Sequence, residues 1–308
     1  MADTMEMQSP AKIQSPTSRV LRSLMRNQSV LIGGALVLII TLMAVFAPFL
    51  GTYDPNDITP KNRLKPPGYE TTIRDYDGNK TAITYQMGTD TLGRDIYSRV
   101  VYGSRVSLIV GVSVAAISIV VGMFFGVVAG YFRYLDGIIM RVMDGLMAIP
   151  AILLAIAVVS VFNAGVMSVV IAIVVPEVPR VVRLVRSIVL SIREEPYVEA
   201  AITAGTRVPT LLIRHVLPNT VAPLIVQGTF IVASAIIVEA ILSFLGLGVP
   251  ADEIPTWGNI MGAARESFQL HPHQILYPGV ILGVTVLAVN MLGDGLRDTL
   301  DPRFAKRM

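Results

Sequence analysis

Five long stretches without a charged residue constrain this chain more than any other feature of its sequence. They cover residues 30–50, 106–132, 145–176, 215–238 and 267–293. An α-helix rises about 1.5 Å per residue, so roughly 20 apolar residues cross a hydrocarbon core of about 30 Å. Lipid offers no hydrogen-bond partner to an open backbone, so such stretches must be helical. The sequence therefore predicts an all-α integral membrane protein.

Composition excludes several other classes of protein. Charged residues make up 15% of the chain, against about 25% in soluble domains. The net charge of +3 does not indicate nucleic-acid binding, because the basic residues lie between the apolar stretches rather than in one patch. There are no cysteines and only three histidines, and no His-Glu-x-x-His spacing. We therefore expect no metal site, no bound cofactor and no catalytic constellation in this chain.

The number of spans depends on the stretch 145–176. Its 32 residues are too many for one span and too few for two of about 20. Asn163-Ala164-Gly165 near its middle is typical of a turn. We therefore place the third transmembrane helix at 137–161 and the fourth at 166–189, with Glu177 inside the fourth. This gives six transmembrane helices.

The resulting organisation has five parts. The segment 51–103, rich in Pro, Gly, Asp and Asn, is interpreted as an ordered extracytoplasmic loop with a turn at Asp77-Gly78-Asn79. The parts are a cytoplasmic tail at 1–27, a first span at 28–50, the extracytoplasmic segment 51–103, a core of five spans at 104–303 with a cytoplasmic loop at 190–217, and a tail at 304–308.

Orientation follows from Lys and Arg residues near the span ends. The N-terminal tail, the 193–214 loop and the C-terminal tail are basic, whereas the 250–273 loop holds one such residue, Arg265. The segment 51–105 is an exception with eight, but a long loop can cross the membrane despite its charge. Both termini are therefore predicted to lie in the cytoplasm.

Three glycines on the second predicted helix repeat every fourth residue: Gly122, Gly126 and Gly130. This spacing puts them on one helix face, where the missing side chains allow another helix to approach closely. The first interpretation is tight helix packing. Direct lining of a transport path is the alternative.

Two carboxylates, Glu177 and Glu239, lie within or beside apolar stretches. A charge at the bilayer centre costs about 2.5–3.5 kcal/mol even on the lenient insertion scale, so each must face protein or water. Pro176 and Pro179 flank Glu177 and are expected to disturb the helix. Glu177 either pairs with Arg180 or lines a hydrated path with it, and Glu239 is a second path candidate.

The cytoplasmic loop holds the most distinctive local pattern. A short helix is expected to begin at a Ser191–Glu194 capping box or at Pro196, and Gly205 suits its C-terminal turn. Pro209 can start a second helix that Pro218 ends. The physics alone allows either a docking knob for a partner or an ordinary connection.

This loop resembles the EAA motif of ABC importer permeases: Glu199-Ala200-Ala201, then Gly205, then Leu217-Pro218. Three further stretches are similar to the second, C-type permease of the dipeptide/oligopeptide (peptide/nickel) branch, and they span residues 88–99, 242–248 and 290–302. Two stretches depart from that pattern, 176–179 and 271–273.

The resemblance implies a type I importer permease fold in a bacterial inner membrane and a transport subunit rather than an enzyme. The implied partners are a homologous permease, two ATP-binding subunits and an extracytoplasmic peptide-binding protein. ATP and Mg²⁺ would be bound by the ATPase subunits, because this chain has no Gly-x-x-x-x-Gly-Lys-Ser/Thr loop. Glu199, Ala200, Ala201 and Gly205 would couple to the ATPase. An autonomous ion-coupled carrier or channel is the alternative, and the solute is left open among dipeptides, oligopeptides, nickel chelates and antimicrobial peptides.

The topology is testable with a reporter that is active only outside the cytoplasm. Fused after Asp77 it should be active, and fused after Arg207 or at Met308 it should be silent, because the basic loops remain inside. Reporter activity in cells is the measurement. An active fusion at Met308 would contradict the six-span count.

Overall fold

The computed structural model describes residues 23–74 and 80–300, and it is mostly helical. The predicted turn at 77–79, most of the N-terminal tail and the whole C-terminal tail lie outside the described residues. The helices are α1 (Gln28–Val45), α2 (Ile96–Tyr131), α3 (Arg133–Met147), α4 (Ala151–Val159), α5 (Val166–Arg193), α6 (Pro196–Thr203), α7 (Val208–Phe244), α8 (Trp257–Ala263) and α9 (His273–Leu300).

The predicted multi-pass membrane fold is confirmed. Four helices, α1, α2, α7 and α9, are long and apolar enough to cross a membrane, and the count rises to five if the bent pair α3 and α4 is one broken span. The 28 residues of α5 would extend about 42 Å at the usual rise. This helix is long enough to be the sixth, although it carries Glu177 and several arginines.

The structure corrects two details of the predicted helices. The third, expected to be continuous over 137–161, breaks between α3 and α4 and bends by 90°. Pro150 explains the break, because a proline disfavours helical geometry in the residue before it. The fourth was expected to be disturbed by Pro176 and Pro179, yet both lie inside a continuous α5. Membrane helices tolerate proline where neighbouring groups satisfy the freed carbonyls.

Within residues 23–74 and 80–300, strands occur in the segment before α2. Strands β1 (Tyr69–Arg74) and β2 (Lys80–Tyr85) form an antiparallel hairpin in which Tyr69 pairs with Tyr85. Helix α2 begins at Ile96, so its first turns belong to the stretch interpreted as loop. Asp95 caps it, accepting from the N–H of Ser98 at 2.9 Å.

The helices pack around α2 and α7. Helix α2 contacts both α5 and α7, and α9 contacts α1 and α7. The main core cluster includes Val114 of α2, Val185 of α5 and Ile231 of α7. We call the end of the bundle that carries α6 the coupling end, and the opposite end, which carries β1 and β2, the hairpin end.

The predicted glycine face of α2 lies directly against α5. A Cβ built on Gly126 would come 2.6 Å from the Cβ of Val185, and one built on Gly130 would come 2.7 Å from the Cβ of Val189. Gly122 meets Val181 in the same way. The glycines are therefore required for the close approach of the two helices, and they lie at a helix contact rather than on an open surface.

Gly126→Ala should destabilise the protein by about 1–3 kcal/mol, the usual cost of overpacking. Gly137→Ala is the matched control, since a Cβ on Gly137 has no atom within 4 Å and alanine favours the helix by about 0.5–1 kcal/mol. Thermal unfolding of the detergent-solubilised protein compares them. Equal melting temperatures for the two variants would contradict the packing argument.

Candidate coupling and translocation site

The segment between α5 and α7 forms a short helix followed by a reversing turn. Pro196 is among the first residues of α6, where its missing N–H costs no hydrogen bond. Gly205 has a φ of +79°, which strains any residue with a Cβ. The N–H of Gly205 donates to the carbonyl of Ile202 at 2.9 Å, and the N–H of Thr206 donates to that of Ala201 at 3.1 Å. These are the two bonds of a Schellman C-cap, so the turn expected at Gly205 is present.

Helix α6 has one face on the protein and another in the open. Val198 is fully buried in the main core cluster, and Ala201, three residues on, packs partly against the same cluster. Glu199 and Ala200 are exposed. The sequence predicts that Ala200 and Ala201 both couple to the ATPase. In the structure Ala200 lies on the open face, whereas Ala201 is partly buried, because a spacing of three residues returns it to the side of Val198.

The second helix of the loop does not end at Pro218. It begins at Val208, as Pro209 predicts, and continues through a π-helical turn at Leu212–Val216 into the long part of α7. Pro218 lies where that long part starts, and it is tolerated there because the wider turn changes the local hydrogen-bond pattern. The coupling end of α7 is thus one continuous helix rather than two.

Three of the four arginines of α5, namely Arg180, Arg183 and Arg186, are paired with acids. Arg180 donates to the carboxylate of Glu177 at 2.9 Å. Ser234 of α7 donates to that carboxylate at 3.1 Å. The Glu177 side chain is 4% exposed and that of Arg180 46%. This arrangement supports the pairing interpretation, while the exposed guanidinium of Arg180 still faces outward.

Two acids of the bent helix α3 complete the series. The sequence predicts that Asp144 pairs with Arg141 or with a neighbouring helix, and it predicts no role for Asp136. Asp136 accepts two bonds from Arg186, at 2.5 and 2.6 Å, and Asp144 accepts one from Arg183 at 2.7 Å. The pairs are partly exposed, so each contributes about 0.2–1 kcal/mol. Their main effect is geometric, since they fix α3 against α5.

A cavity of about 770 Å³ opens beside these helices. Polar groups in its wall come from Asn219 and Gln227 of α7 and from Arg297 of α9, and Leu184 contributes from α5. Its size lies within the range of small-molecule sites. The sequence does not predict that Arg297 lies beside α7, because their approach depends on the packing of α9.

Glu239 lies inside the subunit and not on a path surface. Its side chain is fully buried, and it accepts from Ser243 at 2.8 Å and from Ser107 of α2 at 3.3 Å. The structure therefore places it at a packing contact between α2 and α7. A residue on an open path would keep a solvent-accessible face, so the path assignment for Glu239 does not fit this geometry.

A network of buried polar groups organises the hairpin end. Arg94 pairs with Asp90 at 2.6 Å and also donates to the carbonyl of Ala251. Arg99, fully buried, donates to the same carbonyl at 2.9 Å and to that of Pro55. These bonds join the start of α2 to the loop before α8. The stretch 88–99 carries the family resemblance, but this network cannot be predicted from the sequence, because only the fold brings the distant carbonyls together.

Comparison with known families identifies the class of protein. Residues 118–306 match the model of the binding-protein-dependent transport system inner membrane component, and residues 15–67 match the N-terminal transmembrane domain of oligopeptide transport permease C. The first match covers more than half of the chain. The chain belongs to this family of ABC importer permeases, and it is a transport subunit whose ATPase is a separate chain.

Several named permeases are similar to this chain over most of its length. A probable peptide ABC transporter permease of Sinorhizobium fredii is 48% identical over 94% of both chains. A di/tripeptide permease of Pseudomonas aeruginosa is 39% identical over 94% of this chain and 93% of its own, and a glutathione permease of Escherichia coli is 36% identical over 98% and 95%. A solved methionine ABC transporter aligns with 63% of this chain and 94% of its own at a TM-score of 0.46 and 15% identity, which is too distant to support an argument about the site.

Glu239→Gln should leave assembly and transport near the native level, because the amide oxygen can accept from one serine and the amide NH2 can donate to the hydroxyl oxygen of the other. Glu239→Leu should lower the amount of folded protein, because it leaves the Ser107 and Ser243 hydroxyls buried without this partner. Membrane abundance and uptake in vesicles measure the two effects. Lost uptake with normal assembly in Glu239→Gln would restore a path role.

Proposed function

We propose that this chain is the C-type permease subunit of an ATP-driven importer of di- and oligopeptides, and that it forms half of the translocation path. The observation that carries the proposal is α6, a short exposed helix fixed by a Schellman turn at one end of a family-defined membrane fold. The peptide solute is supported by relatives that are named for peptides, di/tripeptides and glutathione.

The complex we propose lies in a lipid membrane and has four kinds of subunit, of which this chain is one. A homologous permease completes the path, two ATP-binding subunits hold ATP and Mg²⁺ on the cytoplasmic side, and a peptide-binding protein delivers solute from outside. In this arrangement both termini and the coupling end face the cytoplasm of a bacterial cell, and the hairpin end faces outward. The basic residues around α6 support that orientation.

The mechanical role of α6 follows from its surface. Glu199 is exposed and forms no salt bridge to another described residue, so its carboxylate is available to a basic partner group. Ala200 beside it is small enough to enter a groove. Closure of the ATPase subunits would displace α6, and the helices attached to it would alternate between outward and inward access.

The path we propose runs along the cavity beside α5 and α7. Arg180 presents a half-exposed guanidinium, and Gln227 and Arg297 line the cavity wall. Amide and guanidinium groups suit a peptide, whose backbone and terminal carboxylate need hydrogen-bond donors. The homologous permease would close the open side.

Purification of the tagged native chain tests the proposed function directly. An importer permease brings ATPase subunits with it, and vesicles containing the complex take up labelled dipeptide only when ATP and the binding protein are present. A chain that purifies alone and transports in response to an ion gradient would contradict the proposal and favour a carrier.

Gly205→Val should weaken docking while leaving the membrane helices intact. Valine at a positive φ costs about 1–2 kcal/mol, which should disrupt the Schellman turn and misdirect α6. We expect normal membrane levels, weaker co-purification of ATPase subunits and loss of uptake.

Gly51→Val is the matched control. Gly51 also has a positive φ of 68° and open space around it, but it follows α1 and is not part of the loop that contains α6. It should keep its ATPase subunits. Ala200→Leu, on the exposed face, should weaken docking by bulk. Native assembly and uptake in both Gly205→Val and Ala200→Leu would reduce this segment to a simple connection.

A further inference from the structure

Arg193, the last residue of α5, ties the coupling ends of two helices together. Its guanidinium donates to the carbonyls of Gly130 and Tyr131 at 3.2 and 3.0 Å, and it lies 5.2 Å from the centre of the Tyr131 ring. These are the last two residues of α2, whose terminal carbonyls have no partner inside the helix. A cation there is also favoured by the negative end of the helix dipole.

The contact between α2 and α5 leaves little freedom for the two helices to slide. The glycine face of α2 meets Val181, Val185 and Val189 at distances where even a methyl group has no room. Interdigitated packing of this kind has discrete arrangements rather than a continuous range. The Arg193 contacts close the coupling end of that same interface.

Helix α6 begins just beyond this point. Two residues separate Arg193 from Pro196, and Val198 is buried in the core cluster that also contains Val189 and Ile192 of α5. A force on α6 therefore reaches the end of α5 within one turn of chain. If α5 were held to α2 only at the glycine contacts, the last turn of α5 could bend away from α2 without moving it.

We propose that Arg193 is a positioning residue for energy coupling, and that its guanidinium clamps α5 to α2 so that α6, α5 and α2 move as one body. The inference rests on the proposed function, because it assigns a role within ATPase coupling. Helix α3 joins the same body through the Asp136–Arg186 pair. The sequence analysis used this arginine only for orientation, because its partner carbonyls lie more than 60 residues away.

Distance measurement in the assembled complex tests the clamp. The chain has no cysteine, so spin labels can be placed at Phe124→Cys on α2, 62% exposed, and at Thr203→Cys on α6, also exposed, with partner subunits that lack reactive cysteines. With Arg193 present, the distance between the two spin labels should be single and should be the same with and without ATP. With Arg193→Gln it should broaden and depend on nucleotide. A nucleotide-dependent distance in the Arg193 complex would overturn the proposal.

The second readout is the amount of dipeptide taken up per ATP hydrolysed. Arg193→Gln should keep its ATPase subunits and their ATP hydrolysis, while dipeptide uptake per ATP falls about tenfold, the scale of one lost hydrogen bond to a charged group. Arg193→Lys should restore part of it, because an ammonium can still donate to a carbonyl. Arg207→Gln, exposed in the same loop, should keep the native ratio. A native ratio in Arg193→Gln would overturn the clamp alone.

The outcomes separate the two proposals. If the native chain brings no ATPase subunits, the proposed function fails. If it does, and the Arg193 complex shows a nucleotide-dependent distance, only the clamp fails. If Arg193→Gln does not assemble, the distances measured with Arg193 in place still decide the question.

Discussion

The close approach of α2 and α5 is the contact on which the rest of the structure depends. It requires glycine at three consecutive turns of α2 and β-branched valine at the facing turns of α5. In lipid, association of helices gains little from the hydrophobic effect, so packing and interhelical polar contacts must supply the stability. The packed pair then positions α3 through ion pairs, α6 through the end of α5, and α7 through the buried core between them.

Charges are distributed along this framework according to how much water each position retains. Towards the coupling end, Arg183 and Arg186 of α5 pair with acids that stay partly exposed, where the cost of desolvation is small. At the hairpin end, Arg94 and Arg99 are almost wholly buried, and carbonyl oxygens and Asp90 accept hydrogen bonds from them, although the Nε of Arg99 has no partner. A buried guanidinium with several fixed acceptors is a strong structural restraint, since removing any of them leaves a costly unpaired donor. The two ends of the subunit are therefore held by different means.

The position of the exposed helix α6 is fixed by the rigid elements on which it packs. A short helix of this length would not be stable alone in water. Here Pro196 and the Schellman turn define its ends, and Val198 fixes it to the core. Its outer face then remains free for a partner. The same logic explains why the two alanines of the motif differ, since one belongs to the core contact and the other to the surface.

Sequence alone determined the class of fold, the helix break around 163–165, the glycine face of α2 and the turn at Gly205, because each depends on local composition or spacing. It failed where the outcome depended on neighbours. Pro150 breaks a predicted helix, whereas Pro176 and Pro179 lie inside a continuous one. The presence of proline alone therefore did not predict which helix would break. The tertiary structure also decided that Glu239 is enclosed, that Asp136 and Asp144 are the partners of arginines on α5, and that Arg193 reaches the end of α2. Those partners are far apart in the chain, and only the packing of helices determines which polar groups meet.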